Sequence, residues 1–308
     1  MISKNKIEFR RDFLSSLLSN FTRLLGLGLS LVFITHIIFF GEEYSVSIAQ
    51  ILQGLSGFTL LYLSSRGITK KAFDSLLKEK KILLKVFILP FIAIISILIY
   101  KINLNNLDGY IRRMGEGSLV EWLSFLLFLL SSFLIFRASN NDLNKQERII
   151  LKIGSIILFI FSMEEISWGQ MIFNWGSPTL MNKFNIQNET NLHNIMFIHD
   201  KSWVILFCIF SISLILSLIG FYLRCNQKIK IGSTSDIIFP LGCCSSYFAI
   251  ASFIYLGVIL LKSGFLVTFL HTREQEMGEL FFAIGVFIHS SYIFTNCERT
   301  YNNIFKNE

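Results

Sequence analysis

Eight long apolar runs recur along the 308-residue chain, and they constrain its fold more than any other feature. A helix needs roughly 20 mostly apolar residues, at about 1.5 Å each, to cross a hydrocarbon core of about 30 Å. The runs that meet or approach this length lie at 24–40, 46–64, 82–100, 118–136, 149–168, 203–222, 236–260 and 277–296. We therefore predict an all-helical, polytopic transmembrane bundle of about eight spans.

The composition excludes a water-soluble globular fold. Only 16% of the residues are charged, and 32 are Phe, whereas an ordinary soluble domain carries about 25% charged residues. Such an apolar chain is also unlike a disordered segment, which has low hydrophobicity and high net charge. In a membrane protein the net charge of +7 matters through the side of the membrane on which the cations lie. No nucleic-acid partner is predicted from it.

Lysine and arginine are distributed unevenly between the loops, and this asymmetry predicts an orientation. When the spans alternate, about three quarters of the 28 Lys and Arg residues fall on one side, which the positive-inside rule makes cytoplasmic. Both termini are then cytoplasmic. Residues 1–81 form an N-terminal helix pair with a basic cytoplasmic segment, and residues 82–308 form a six-helix membrane domain with a long external loop at 164–200.

The 164–200 loop is the first candidate for chemistry, because long connections without regular structure are uncommon and often functional. The run 149–163 would make only about 22 Å of helix, which is short of the hydrocarbon thickness. The fifth span is therefore expected to continue through Glu164, Glu165 and Ser167. Two adjacent carboxylates would then lie in the outer part of the bilayer.

Other spans place carboxylates at a similar depth. Glu121 lies one turn inside the outer end of the fourth span, while Glu276 and Glu279 stand at the outer end of the eighth. Ionisable groups near a membrane persist when they pair, bind a cation or serve a reaction. The alternative is that each carboxylate reaches water at the interface by extending its side chain.

Glu189 and His193, in ETNLH, would share a face if that stretch is helical, since positions four apart are neighbours. A carboxylate beside an imidazole suits two metal ligands, or an acid that orients a base. A plain surface pair is the alternative. The chain has no HExxH sequence, so zinc-protease chemistry is not indicated.

The strings EEISWGQ and QNETNLHN resemble the signature of an uncharacterised bacterial family of polytopic membrane proteins. The similarity covers about residues 110–296, and it includes an upstream Glu-Gly-x-x-x-Glu-Trp and a late helix start rich in Glu. Met163 stands where that family usually has Gly. The family brings no settled activity, so the resemblance strengthens the site and does not name a reaction.

A weaker similarity covers residues 10–75, which are similar to the opening helices of polysaccharide flippases. Those proteins have twelve or more helices, and this chain is too short to supply them. It cannot be such a flippase on its own.

The pattern as a whole predicts an enzyme that works at the outer leaflet on a lipid or lipid-linked substrate, with a divalent cation as cofactor. Carboxylate ligands favour magnesium, manganese or calcium, and a histidine leaves zinc or iron open. The predicted site consists of Glu164, Glu165 and His193 as catalytic residues, of Glu164, Glu165, Glu189 and His193 as metal ligands, and of Glu121, Ser167, Gln170, Glu276 and Glu279 as a polar cavity. A transporter or flippase-like component of envelope export, in which these groups bind a proton or coupling cation, and a non-catalytic scaffold are the alternatives.

Overall fold

The computed structural model describes most of the chain beyond residue 80. The described ranges are 81–102, 118–141, 143–173, 175–178, 185, 190–191, 195–230, 232–262 and 272–305, together with the isolated positions 23, 27, 30, 34, 58, 61, 62 and 65. The two predicted spans at 24–40 and 46–64, and the basic segment that follows them, lie outside the described residues apart from those positions.

Six long helices form the described part of the protein. They are α1 (Lys81–Ile102), α2 (Leu119–Ser139), α3 (Lys145–Glu165), α4 (Met196–Cys225), α5 (Ser245–Lys262) and α6 (Gln275–Phe305). Within the described ranges there is no β-strand, only an isolated bridge between Asn185 and Ile195. The prediction of an all-helical fold is confirmed for this part of the chain.

Four stretches are long and apolar enough to cross a membrane, judged over the described residues by length and composition. They are Leu119–Ser139, Lys201–Cys225, Thr234–Lys262 and Gln275–Cys297, and they coincide with four of the predicted spans. Large apolar side chains remain exposed on the helices, as in Leu119, Phe133 and Ile99. Exposed apolar surface on this scale is what a lipid-facing helix presents.

Two further predicted spans are helical but fall short of that test. In α1 the apolar stretch is Val86–Ile99. In α3 the charged residues at both ends leave only 153–163 without a charge, which is roughly 16 Å of helix. The total of about eight spans and the cytoplasmic position of the termini therefore stay predictions.

The helices pack side by side in the order α3, α2, α6, α5 and α4, with α1 against α5. A short connection joins α2 and α3 into an antiparallel hairpin, and Asn144 starts α3 by accepting a hydrogen bond from the Glu147 amide at 2.9 Å. Ser132 and Ser155 each donate to the backbone carbonyl of the other, at 2.8 and 2.9 Å. Small residues at such an interface let helix backbones approach closely.

The core lies between α4, α5 and α6 and is rich in aromatic rings. Phe210 of α4 meets Tyr255 of α5 edge to face at 5.0 Å and Phe282 of α6 at 4.4 Å between ring centroids. Phe128 of α2 also contacts Phe282, at 6.2 Å. These rings place α2, α5 and α6 around a common centre, just beneath the end of the bundle where α2 and α6 begin and α3 ends. We call this end of the bundle, where α2 and α6 begin and α3 ends, the carboxylate end.

Candidate functional site

A tight turn ends α3 and redirects the chain at the carboxylate end. Ser167, Trp168 and Gly169 have φ values of 48°, 55° and 90°, a conformation that residues other than glycine rarely adopt. The helix continues through Glu164 and Glu165, as predicted, but it stops at Glu165, so Ser167 lies beyond it. The turn carries the Trp168 indole back over the last helical residues, where its Nε1 donates to Glu164 Oε1 at 2.5 Å.

Ser167 of the turn and Gln170 just after it also bind residues that lie further along the 164–200 segment. The amide of Thr190 donates to Gln170 Oε1 at 2.8 Å, and Asn191 Nδ2 donates to Ser167 Oγ at 3.2 Å. Asn191 in turn accepts from Asn185 Nδ2 at its backbone carbonyl, at 3.1 Å. The two sequence strings that carry the family resemblance, EEISWGQ and QNETNLHN, thus contact each other in the folded chain.

Three carboxylates meet beside this turn. Oxygen atoms of Glu165, at the end of α3, and of Glu276 and Glu279, at the start of α6, all lie within 4.8 Å of one another. The two α6 residues share a face because they are three positions apart. Glu279 is also close enough to Glu165 for their charges to repel each other. We call these three residues the carboxylate cluster.

A tyrosine of helix α5 makes a hydrogen bond to one carboxylate of the cluster. The hydroxyl of Tyr255, a side chain only 1% exposed, donates a hydrogen bond to Glu279 Oε1. This contact requires α6 to lie close to the Tyr255 ring, and a Cβ atom on Gly278 would stand only 3.0 Å from it. Gly278 therefore permits the close packing that brings the phenol to the carboxylate.

Further charged residues lie around the cluster. Glu121, in the first turn of α2 and 8% exposed, lies near enough to Glu165 and Glu276 to repel them. Arg273 attracts Glu276, whereas the nearby Lys101 is paired with Glu274 at 2.7 Å.

Four carboxylates thus lie close together here, and Arg273 is the cation that acts on Glu276. Two unit charges 4 Å apart repel by about 4 kcal/mol at an effective dielectric of about 20. Repulsion of this size is relieved when protons or a cation neutralise part of the charge.

The structure groups the predicted site residues differently from the sequence hypothesis. It brings Glu165 together with Glu276 and Glu279, which were expected only to line a cavity, and it places Glu121 nearby. Glu164 instead bonds the Trp168 indole. Ser167 and Gln170 bind the returning segment. Glu189 and His193, predicted as ligands, lie outside the described residues.

Tyr255 is the main contributor that sequence reasoning missed. It stands within an apolar run of α5, where a tyrosine reads as a packing residue. A signal was available in its residue type, because a phenol inside an apolar helix usually finds a polar partner when it is buried. Nothing in one sequence identifies that partner as Glu279 on the next helix.

A second buried polar group lies at the opposite end of the bundle, where the helical run Thr234–Lys262 is interrupted after Ile238. Arg224 of α4 pairs with Asp236 at 2.9 Å and also donates to the carbonyls of Phe239 and Pro240. Ser217 donates to the carbonyl of Leu241 at 2.6 Å. Side chains thus satisfy the carbonyls released by the break, which gives this group a structural role.

No family model, no curated protein and no solved structure matches the chain. The resemblance described above therefore remains a prediction. The case for a site at the carboxylate end depends on the geometry of Glu165, Glu276, Glu279 and Tyr255.

Proposed function

We propose that this chain is a multi-pass enzyme of the bacterial inner membrane that acts on a lipid or lipid-linked substrate with the help of a divalent cation. The observation that supports the proposal most is the convergence of Glu165, Glu276 and Glu279 within 4.8 Å at one end of an apolar bundle. Hard divalent cations prefer such carboxylate oxygens. A cation held there is able to polarise a phosphoryl or carbonyl oxygen of a bound substrate.

The position of the cluster supports a lipid rather than a water-soluble substrate. The turn after α3 leads into a short helix, Gln170–Phe173, in which Ile172 and Phe173 are exposed by 49% and 68%. The ring of Trp175 stacks on Phe173 at 5.3 Å and is 45% exposed. Aromatic and apolar side chains of this kind are typical of the membrane interface, where a lipid headgroup would meet the carboxylates.

A transporter is the second candidate, and the interrupted helix at Phe239–Leu241 is the observation that favours it. Transporters commonly bind coupling ions at such interruptions, through the released backbone carbonyls. Here Arg224 and Ser217 already occupy the carbonyls of Phe239, Pro240 and Leu241. The enzyme therefore fits the contacts better.

The experiment is a lipid profile of the bacterium that carries the gene, with and without it, complemented by matched variants. Glu165→Gln removes a charge from the cluster. Glu147→Gln removes one from a buried glutamate (7% exposed) at the other end of the same helix. We expect deletion to change the lipid profile, Glu147→Gln to restore it and Glu165→Gln, expressed at the same level, to leave it unrestored.

Two results would contradict the proposal. One is a lipid profile that deletion does not change. The other is full restoration by Glu165→Gln.

A further inference from the structure

The hydroxyl of Ser124 in α2 is buried and makes no hydrogen bond to a described residue. Its side chain is 1% exposed, and its Oγ has no hydrogen-bond partner among the residues that the structure describes. Some other helical serines donate to a carbonyl one turn earlier, as Ser131 does to Leu127 at 2.6 Å and Ser252 to Phe248 at 2.8 Å. Ser124 makes no such bond, so its hydroxyl is left for another partner.

The position of Ser124 on α2 shows which region it faces. Glu121, Ser124 and Phe128 fall on one face of the helix, since positions three and four apart are neighbours. Glu121 approaches Glu165 and Glu276, and Phe128 contacts Phe161 of α3 and Phe282 of α6.

Phe161 and Phe282 lie one turn further into the bundle than Glu165 and Glu279. On α2, Ser124 is one turn further in than Glu121 and one turn short of Phe128, so helix geometry places its hydroxyl between the residue that approaches the cluster and the residue that contacts the two phenylalanines.

We propose that Glu165, Glu276, Glu279 and the Ser124 hydroxyl together bind one hard divalent cation, of the Mg²⁺, Mn²⁺ or Ca²⁺ class, between α2, α3 and α6. This deepens the proposed function by naming the ligands of its cation. Three carboxylates supply the charge that such an ion requires, and a hydroxyl supplies a neutral oxygen. The cation also explains why a buried hydroxyl would be kept without a partner among the described residues, which is otherwise costly.

Aromatic rings close the site on the side that faces the bundle core, and Tyr255 of α5 holds one of its ligands. The rings of Phe128, Phe161 and Phe282 lie below it, and the Tyr255 hydroxyl fixes Glu279 by its hydrogen bond. Hydrogen bonds that orient ligands raise metal affinity, and their loss typically costs about 10- to 100-fold. Because the aromatic rings close the side of the site that faces the bundle core, the cation reaches it from the carboxylate end.

The test is Mn²⁺ binding by the purified full-length chain in detergent, followed by the loss of the free-ion signal in electron paramagnetic resonance. We expect the unaltered chain to bind Mn²⁺ and Ser124→Ala to bind it roughly tenfold more weakly. Ser211→Ala is the matched control. Ser211 is also a 1% exposed serine without a described partner, but it lies on α4, which contributes no carboxylate to the cluster.

A second variant covers the case in which Ser124→Ala does not fold. Ser124→Cys places a softer atom at the same position, and thiolates favour soft ions over hard ones. We expect this variant to gain Cd²⁺ affinity relative to Mn²⁺, compared with the unaltered chain and its five native cysteines.

The proposal is overturned if the unaltered chain binds no Mn²⁺, or if the Ser124 variants bind both ions as the unaltered chain does. These outcomes are independent of the lipid profile. If the lipid profile depends on Glu165 but the chain binds no Mn²⁺, the cation site is contradicted and the proposed enzyme function stands. If Mn²⁺ binding depends on Ser124 but deletion changes no lipid, the cation site stands and the proposed function is contradicted.

Discussion

Tyr255 and Glu279 face each other across the α5–α6 interface, and the phenol donates a hydrogen bond to the carboxylate. The contact joins the aromatic core to the carboxylate cluster, because the Tyr255 ring also packs against Phe210 at 5.0 Å. A carboxylate held by a core residue has little freedom to turn away. The position of Glu279 is therefore set by packing inside the bundle.

Replacing Tyr255 by Phe should disturb the cluster without removing the ring. The variant leaves Glu279 without its donor, and such a loss costs about 1 to 3 kcal/mol. We expect a lower unfolding temperature in detergent and a weaker lipid-profile complementation. Tyr247→Phe, at another buried tyrosine of α5, is the control and should complement normally. Equal behaviour of the two variants would show that the Tyr255 hydroxyl has no special role.

Removing Arg224 should destabilise the protein more than any change at the cluster. Its guanidinium pairs with Asp236, whose side chain is 4% exposed, and caps the carbonyls of Phe239 and Pro240. Loss of one partner from a fully buried pair costs about 3 to 5 kcal/mol, and Arg224 itself is 17% exposed, so the lower part of that range applies. We expect Arg224→Gln to show a clearly lowered unfolding temperature in detergent. Stability equal to the unaltered chain would contradict the role assigned to the pair.

Two glycines provide a matched test of the packing around the helix interruption. A Cβ atom on Gly242 would lie 2.3 Å from the Phe221 ring, whereas one on Gly154 would find its nearest neighbour at 4.0 Å. Gly242→Ala should therefore destabilise the protein by about 1 to 3 kcal/mol through overpacking. Gly154→Ala, inside α3, should be neutral or stabilising by up to about 1 kcal/mol. Thermal unfolding of both variants checks the difference.

The sequence predicted the helices better than it predicted the site. Apolar runs of sufficient length anticipate α2, α4 and α6, because the length of a span follows from the thickness of the bilayer. The end of α3 was misplaced by the same reasoning, since the left-handed turn at Ser167–Gly169 stops the helix at Glu165. Turn conformations of this kind depend on tertiary contacts, which hydropathy does not encode.

The composition of the site was predictable only in part. Carboxylates at a common depth on three helices anticipate a cluster that includes Glu165 and Glu279. The partners of each residue were not predictable, because adjacent helical residues point about 100° apart. That angle lets Glu164 bond Trp168 while Glu165 joins α6. Only helix packing determines which of the two faces the neighbouring helix.

The sidedness of the cluster is a prediction that reporter fusions can check. The lysine and arginine asymmetry places the carboxylate end outside. Fusions at positions 105 and 185 should read as external, and fusions at 75, 142 and 228 as cytoplasmic. A cytoplasmic result at 185 would place the cluster on the inner side. The substrate would then have to be sought in the inner leaflet.

The final prediction separates a chemical role of the cluster from a purely structural one. If Glu165, Glu276 and Glu279 exist to bind a cation, they repel one another when the cation is removed, as charges at this separation must. Glu165→Gln should then raise the unfolding temperature in the presence of a chelator and abolish the extra stability that Mg²⁺ or Mn²⁺ gives the unaltered chain.

If the cluster only locks the helices together, the same change weakens an interaction that the fold depends on. Glu165→Gln should then lower the unfolding temperature with and without metal. Thermal unfolding of the two chains, each with chelator and with added Mn²⁺, distinguishes the cases. A folded protein is typically stable by only about 5 to 15 kcal/mol, so either change is large enough to measure. A loss of stability under both conditions would leave the scaffold as the role of these carboxylates.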